Sequence, residues 1–148
     1  MKILIVDDSK KHREAARKQL ETLGHEVVIT GGYTDVFRGH ILKDNSFDVA
    51  LIDLLMPAES MTLGERGMEF FGQEIMVGYP LSIFLAMSGV KLVGVVTDTG
   101  HHDHPASAIM DFLCEPLIAN GANVFYLHAR LTNDGSKDWS AALKSITR

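Results

Sequence analysis

The stretch that decides the fold is MKILIVDDS, at residues 1–9. Its residues 3–6 form a continuous apolar run that two acids, Asp7 and Asp8, bring to an end. Such a run is typical of a parallel strand that is buried on both faces and meets solvent at its carboxyl end. Helix formers follow from Ser9 to Gly24, with apolar residues near a 3.6-residue period. The beginning of the chain therefore predicts a strand followed by a helix.

The same alternation continues to the end of the chain. It predicts further strands at 26–30, 47–52, 91–96 and 123–127, and further helices at 34–42, 106–112 and 137–146. Five strands alternating with helices indicate a doubly wound α/β fold with a parallel sheet. The stretch between the third and fourth strands is longer than one crossover needs. We therefore expect an insertion around 58–88, made of a loop and then one helix, or of two helices broken near Pro80.

Composition narrows the class of protein. The 148 residues are 46% hydrophobic and 22% charged, as in one ordinary globular domain spanning 1–148. A net charge of −5 without a basic run disfavours nucleic-acid binding. No apolar segment reaches the ~18 residues of a membrane helix, and the single cysteine, Cys114, cannot form an internal disulfide. We expect a cytoplasmic protein without a membrane partner.

Acidic side chains stand at the carboxyl ends of the predicted strands. Asp7 and Asp8 follow the first strand and Asp53 follows the third, while Thr97 closes the fourth. Ligands bind at this edge in open α/β sheets, and clustered carboxylates need a cation or a proton. Hard oxygen ligands suit magnesium, beside which a nucleophilic aspartate could accept a phosphoryl group. Each aspartate taken alone is better explained as a helix N-cap, and only the coincidence of several strand ends favours a shared site.

The residues quoted above resemble a known family. MKILIVDDS and DVALIDLLMP, at residues 48–57, are similar to the receiver domain of two-component response regulators. Weaker similarities at 95–97 and 121–123 extend the resemblance over almost the whole chain. It implies a flavodoxin-like (βα)5 fold with strand order 2-1-3-4-5, here with an enlarged crossover between the third and fourth strands.

The resemblance also implies roles for individual residues. Asp53 corresponds to the phosphoacceptor, and Asp7 and Asp8 to the acidic pair that holds Mg²⁺, or Mn²⁺, together with Asp53. The backbone carbonyl of Leu55 would complete the metal shell. Thr97 corresponds to the hydroxyl residue that contacts the phosphoryl group and switches on activation.

The chain departs from the family pattern at the fifth strand. Receivers usually carry Lys-Pro there, and alignment on residues 121–122 places His128 and Ala129 at those positions. His128 is therefore the predicted phosphate-contacting residue in place of the lysine, with Arg130 as another candidate cation. The charge of a histidine, unlike that of a lysine, changes near neutral pH.

A second departure is a histidine-rich loop after the fourth strand, which contains His101, His102 and His104. Imidazoles beside carboxylates suit a second metal ion or a phosphate-contacting lid, and alternation favours His102 and His104 as the pair. The alternative is a polar loop that leads into a helix starting near Pro105. His12 and His25 are predicted to be surface residues.

Three functions follow from these features. The first is a stand-alone receiver without an output domain, phosphorylated by a sensor histidine kinase or a phosphotransfer protein and signalling through a downstream protein partner. The second is a pseudo-receiver that binds partners without phosphorylation, and the third is a metal-dependent hydrolase that uses the carboxylates and the loop 101–104. Apart from self-phosphorylation and dephosphorylation, the first two would not be enzymes. The apolar residues of 68–87 also make a homodimer plausible.

Overall fold

Six strands form the central sheet of the protein, seen in a computed structural model that describes residues 1–43 and 45–148. Five of them are parallel, in the order β2-β1-β3-β6-β8. Their bounds are β1 Lys2–Val6, β2 Glu26–Thr30, β3 Val49–Ile52, β6 Leu92–Thr97 and β8 Ala122–His128. The predicted doubly wound sheet and its 2-1-3-4-5 order are confirmed.

The sixth strand, β7 (Leu117–Ala119), was not predicted. It pairs antiparallel with β8 and covers that edge of the sheet. The turn between them is Asn120-Gly121, and both residues have positive φ, at 51° and 73°. Asn-Gly is a strong signal for a two-residue hairpin turn, so the sequence did contain the information.

Helices cover both faces of the sheet. On one face, α1 (Lys10–Thr22) and α6 (Trp139–Ile146) bury side chains such as Leu20 and Trp139 against β1 and β3. On the other face, α4 (Gly78–Met87) places Leu81 and Leu85 in the second core cluster. The remaining helices are short: α2 Thr34–Phe37, α3 Ser60–Gly67 and α5 Pro105–Ile109. None of the described helices is long and apolar enough to cross a membrane.

The long crossover between β3 and β6 contains more structure than a loop and a helix. A two-stranded antiparallel pair, β4 (Met56–Pro57) with β5 (Glu74–Ile75), encloses α3 and a 3₁₀ turn at Met68–Phe70. Pro80 does not break a helix, because it lies in the first turn of α4, where a backbone N–H has no partner within the helix. The predicted helix at 34–42 is also shorter than expected, since α2 ends at Phe37.

Candidate active site

The sheet order brings three strand ends together. β3 lies between β1 and β6, so that Asp7 after β1, Asp53 after β3 and Thr97 at the end of β6 share one edge. All three residues are buried. The predicted meeting of these side chains at the carboxyl edge thus follows from the observed topology.

A buried lysine neutralises the carboxylates at this edge. The Nζ atom of Lys137 lies 2.8 Å from Oδ2 of Asp7 and 2.9 Å from Oδ1 of Asp53. Oδ1 of Asp98, the residue after Thr97, is 3.7 Å from the same nitrogen. The Lys137 side chain is fully buried, as a charged group can be only when it is paired.

Backbone contacts fix the path that brings Lys137 to the site. The segment after β8 is tied to β6 by a hydrogen bond that Ala129 N donates to Thr97 O at 2.7 Å. Leu131 and Lys137 then form an antiparallel bridge, closed by a turn over 132–136. Asp138 caps α6 through a hydrogen bond from Ala141 N. The backbone of Lys137 is therefore held on one side by the turn over 132–136 and on the other by the capped first turn of α6.

Sequence reasoning missed Lys137 and assigned its place to His128. The structure places His128 at the exposed end of β8, where Nε2 lies 3.5 Å from Oδ1 of Asp111. Arg130 is exposed as well. The lysine reaches Asp53 from further along the chain because the segment after β8 folds back before α6 begins, which an alignment on residues 121–122 cannot show.

Burial and charge set the ionisation of the cluster. Burial raises the pKa of Asp53 to about 7; Lys137 opposes this rise, and Asp7 adds to it. Burial acts against the charge of Lys137, but the carboxylates of Asp53 and Asp7 outweigh it and raise its pKa. Burial and the negative charge of Asp7 also raise the pKa of Asp8. Lys137 thus keeps its positive charge, and the raised pKa values of Asp53 and Asp8 mean that the cluster favours further positive charge.

A buried histidine supports the lysine from α1. His12 Nδ1 accepts a hydrogen bond from Lys137 N at 3.2 Å, and Nε2 lies 3.2 Å from Oδ2 of Asp98. These contacts assign the hydrogen of a neutral ring to Nε2, which donates to Asp98. Burial would raise the pKa of Asp98, but Lys137 and His12 are among the contacts that lower it. The prediction of a surface His12 is wrong, since only 6% of the residue is exposed.

The geometry is compatible with a divalent cation. Asp7, Asp8 and Asp53 each offer a carboxylate oxygen, and these atoms all lie within 4.8 Å of one another. Asp8 is exposed, which leaves a face open to a hydrated ion. Hard oxygen donors and access for water fit magnesium, which keeps several water ligands. Leu55 lies two residues beyond Asp53 and is buried.

The acidic loop after β1 is anchored from α1. Oδ1 of Asp7 accepts a hydrogen bond from Ser9 N at 2.8 Å. Arg13 donates to the backbone oxygens of Asp7, at 2.8 Å, and of Asp8, at 2.6 Å. Because the guanidinium group binds backbone oxygens, it does not compete with the cluster for either carboxylate of the acidic pair.

The histidine loop lies beside this edge. His101 and His102 approach each other, with their Nε2 atoms 2.6 Å apart. His104 instead caps α5, since its Nδ1 accepts a hydrogen bond from Ala106 N at 3.0 Å. The pairing of His102 with His104, expected from alternation, is replaced by that of His101 with His102.

Solved structures with the same architecture identify the fold. A receiver domain protein from Clostridium thermocellum is 25% identical, with 97% of this chain and 91% of that chain covered and a TM-score of 0.56. The chain has the fold of a response regulator receiver domain. Another receiver domain protein, from Methanospirillum hungatei, is 19% identical over 97% of this chain and 90% of that chain, with a TM-score of 0.56.

A third structure is that of a Thermotoga maritima response regulator in complex with Mg²⁺ and BeF. It is 19% identical, with 97% of this chain and 96% of that chain covered and a TM-score of 0.54. No family model and no curated protein matches the sequence. Each of these three structures covers 97% of this chain, and together they confirm its resemblance to receiver domains.

Proposed function

We propose that this protein is a two-component receiver that accepts a phosphoryl group on Asp53 and signals by binding a downstream protein. The observation that carries the proposal is the contact between the buried ammonium group of Lys137 and Asp53, at 2.9 Å. A fixed cation beside a strand-terminal carboxylate stabilises negative charge that collects on a transferred phosphoryl group. The alignment placed His128 where receivers usually carry a lysine, and this favoured a pseudo-receiver. Lys137 supplies the positive charge that the alignment did not locate.

The hydrogen bonds to Asp53 favour one oxygen as the nucleophile. Among the described residues, Leu54 N at 2.7 Å and Lys137 Nζ at 2.9 Å both contact Oδ1. Oδ2 is thus the oxygen that attacks phosphorus, and the bond between phosphorus and the donor breaks in the same step. The donor would be a phosphohistidine of a sensor kinase or of a phosphotransfer protein, and imidazole nitrogen would leave.

Other residues would stabilise the product. Asp7, Asp8 and Asp53, with the Leu55 carbonyl, would hold Mg²⁺, which supplies positive charge to the phosphoryl oxygens when bound. Thr97 Oγ1 accepts a hydrogen bond from Thr99 N at 3.2 Å, so its own hydrogen can be donated to a phosphoryl oxygen. Such a contact would draw Thr97 towards Asp53 and alter the loop 98–104, which is a surface that a partner can recognise.

Incubation with acetyl phosphate and Mg²⁺ tests this proposal. Intact-protein mass should show one phosphoryl adduct on the wild type and on Asp48→Asn, a control at an exposed carboxylate just before β3. The adduct should be lost in Asp53→Asn and should form slowly after a chelator removes the metal. Equal adducts on wild type and Asp53→Asn would contradict the proposal, and rapid turnover of generic phosphoesters would favour a hydrolase instead.

A further inference from the structure

We propose that His101 and His102 bind a transition-metal ion of the zinc class at a second site, separate from the carboxylate cluster. The observation behind it is the convergence of two imidazole nitrogens, Nε2 of His101 and Nε2 of His102, to 2.6 Å. The proposal does not rest on phosphorylation of Asp53, because neither ring belongs to the group formed by Asp7, Asp8 and Asp53.

Asp111 prepares His101 to be a ligand. Its Oδ2 lies 3.1 Å from Nδ1 of His101, and the negative charge of the carboxylate favours the ring tautomer with its hydrogen on that nitrogen. In a neutral imidazole the other nitrogen, Nε2, then has a free electron pair. A carboxylate bound to the far side of a ligating histidine is the usual outer-shell arrangement, because it fixes the tautomer and the ring orientation.

The electron pair of His101 points towards His102. Without a metal, one nitrogen of the pair must carry a hydrogen and donate it to the other. With a metal, both nitrogens become ligands, about 2.0–2.1 Å from a zinc ion. This requires the rings to separate slightly, and both belong to a loop whose side chains reach solvent.

The surroundings leave room for the ion and its water ligands. An open cavity of about 480 Å³ is lined by Gly100, His101, His102, Asp103, Asp111 and His128. The side chains of His101 and Asp111 are 43% and 49% exposed, so an ion can enter from solvent. His128 approaches the second oxygen of Asp111 at 3.5 Å, which helps to hold that carboxylate in place.

The donor set favours a borderline ion over magnesium. Imidazole nitrogen suits zinc, copper and nickel, whereas magnesium prefers oxygen ligands. His104 is not part of the donor set, because its Nδ1 caps α5. The two metal sites therefore differ in chemistry and can be occupied separately.

Calorimetric titration with Zn²⁺, in the presence of excess Mg²⁺ to saturate the carboxylates, tests the proposal. We expect one Zn²⁺ per chain for the wild type and loss of that binding in the double variant His101→Gln/His102→Gln. Asp111→Asn should weaken the affinity by about 10–100-fold, as loss of an outer-shell partner does. His40→Gln is the matched control, because His40 also pairs with an aspartate, Asp35, on the surface.

Two further outcomes decide between the sites. Zn²⁺ binding that persists in Asp8→Asn supports the histidine site, since that variant weakens only the carboxylate cluster. Zn²⁺ binding that survives the double histidine variant, or no binding at millimolar Zn²⁺, would overturn the proposal. Circular dichroism of each variant shows whether it is folded, and ring NMR shifts of His101 and His102 on adding Zn²⁺ give a readout that does not depend on phosphorylation.

Discussion

The ammonium nitrogen of Lys137 lies 2.9 Å from Oδ1 of Asp53, inside the protein at the carboxyl edge of the sheet. Asp7 contacts the same nitrogen at 2.8 Å, and Asp98 approaches it at 3.7 Å. Carboxylates outnumber the single cation, so the cluster attracts protons and further cations. This imbalance connects the stability of the fold with the metal binding and the phosphorylation that we propose for the site.

Asp53→Asn is expected to stabilise the fold in metal-free buffer at alkaline pH. Burial, opposed by Lys137 and assisted by Asp7, raises the pKa of Asp53 from 3.8 to about 7. The folded chain then holds a proton that the unfolded chain releases, so this group lowers stability as pH rises from about 4 to about 7. Near pH 8 the free energy of unfolding should increase by up to a few kcal/mol, since each pKa unit corresponds to about 1.4 kcal/mol.

Urea denaturation at acidic and alkaline pH measures this effect. At about pH 4 to 5, Asp53→Asn should increase the free energy of unfolding by less, because Asp53 of the wild type is then protonated in the folded state. Asp48→Asn, at an exposed carboxylate, should have little effect at either pH. A gain for Asp53→Asn that does not change with pH would be inconsistent with the raised pKa.

Lys137→Met is expected to destabilise the protein and to increase its dependence on Mg²⁺. Removing one partner of a buried ion pair leaves uncompensated charge and costs about 3–5 kcal/mol. A divalent ion at Asp7, Asp8 and Asp53 would replace part of the lost charge, so Mg²⁺ should raise the melting temperature of this variant more than that of the wild type. Lys144→Met, an exposed position in α6, is the control.

Trp139 provides an internal reporter for the same cluster. It is the only tryptophan of the chain and is fully buried, with Lys137 Nζ 5.5 Å from the centre of its ring. We expect Mg²⁺ to change its fluorescence in the wild type and to change it differently in Lys137→Met. Identical titrations for the two proteins would mean that Lys137 does not contact the metal site.

His12 is expected to position Lys137 rather than to react. His12→Ala removes the acceptor of Lys137 N and a partner of Asp98, and each lost buried hydrogen bond costs about 1–3 kcal/mol. His12→Asn keeps an acceptor in the place of Nδ1, so it should recover much of the phosphorylation rate that His12→Ala loses. His40→Ala, at an exposed histidine, serves as the control.

Phosphorylation rate and Trp139 fluorescence should change together in the His12 variants. Trp139 Nε1 donates to the backbone oxygen of His12 at 2.9 Å, so the indole ring senses movement of this part of α1. If His12→Ala and His12→Asn lose stability equally and neither changes the phosphorylation rate, His12 has only a structural role.

Gly78→Ala is expected to disturb the site through the backbone. A Cβ atom at this position would lie 2.6 Å from the carbonyl oxygen of Asp53 and 2.7 Å from Cα of Leu54. Backbone atoms cannot move aside as a flexible side chain can, so the end of β3 must shift. We expect a loss of about 1–3 kcal/mol in the free energy of unfolding and slower phosphorylation of Asp53.

The control for Gly78→Ala is Gly67→Ala at the end of α3. There the nearest atom to an added Cβ is Cβ of the Leu63 side chain, at 3.1 Å. Denaturation and acetyl phosphate assays of both variants should show a clear loss for Gly78→Ala alone. Equal effects would argue against a specific contact behind Asp53.

The parallel core of the fold could be predicted because its signals are local. The apolar runs that end in Asp7 and Asp53 are short and continuous, and each became a buried strand with the acid at its carboxyl end. Strand order followed from the resemblance to receiver domains. The edge strand β7 could have been found from Asn120-Gly121, the turn that joins it to β8.

The local sequence pattern could not predict that Lys137 belongs to the site. Lys137 stands beyond β8, and the turn over 132–136 returns it to the carboxylates. His12 looked like a surface residue because helical periodicity does not reveal that α6 and the segment before it cover that position. Both residues depend on contacts between distant parts of the chain, and a single sequence does not encode these in its spacing.

The most direct test of the account is to locate the phosphoryl group on the chain. The wild type would be phosphorylated with acetyl phosphate and Mg²⁺, any acyl phosphate reduced with borohydride, and the digested peptides analysed by mass spectrometry. We expect reduction at Asp53 alone. Modification at Asp7 or Asp8, a phosphoryl group carried by histidine instead, or no adduct on the folded protein would contradict it.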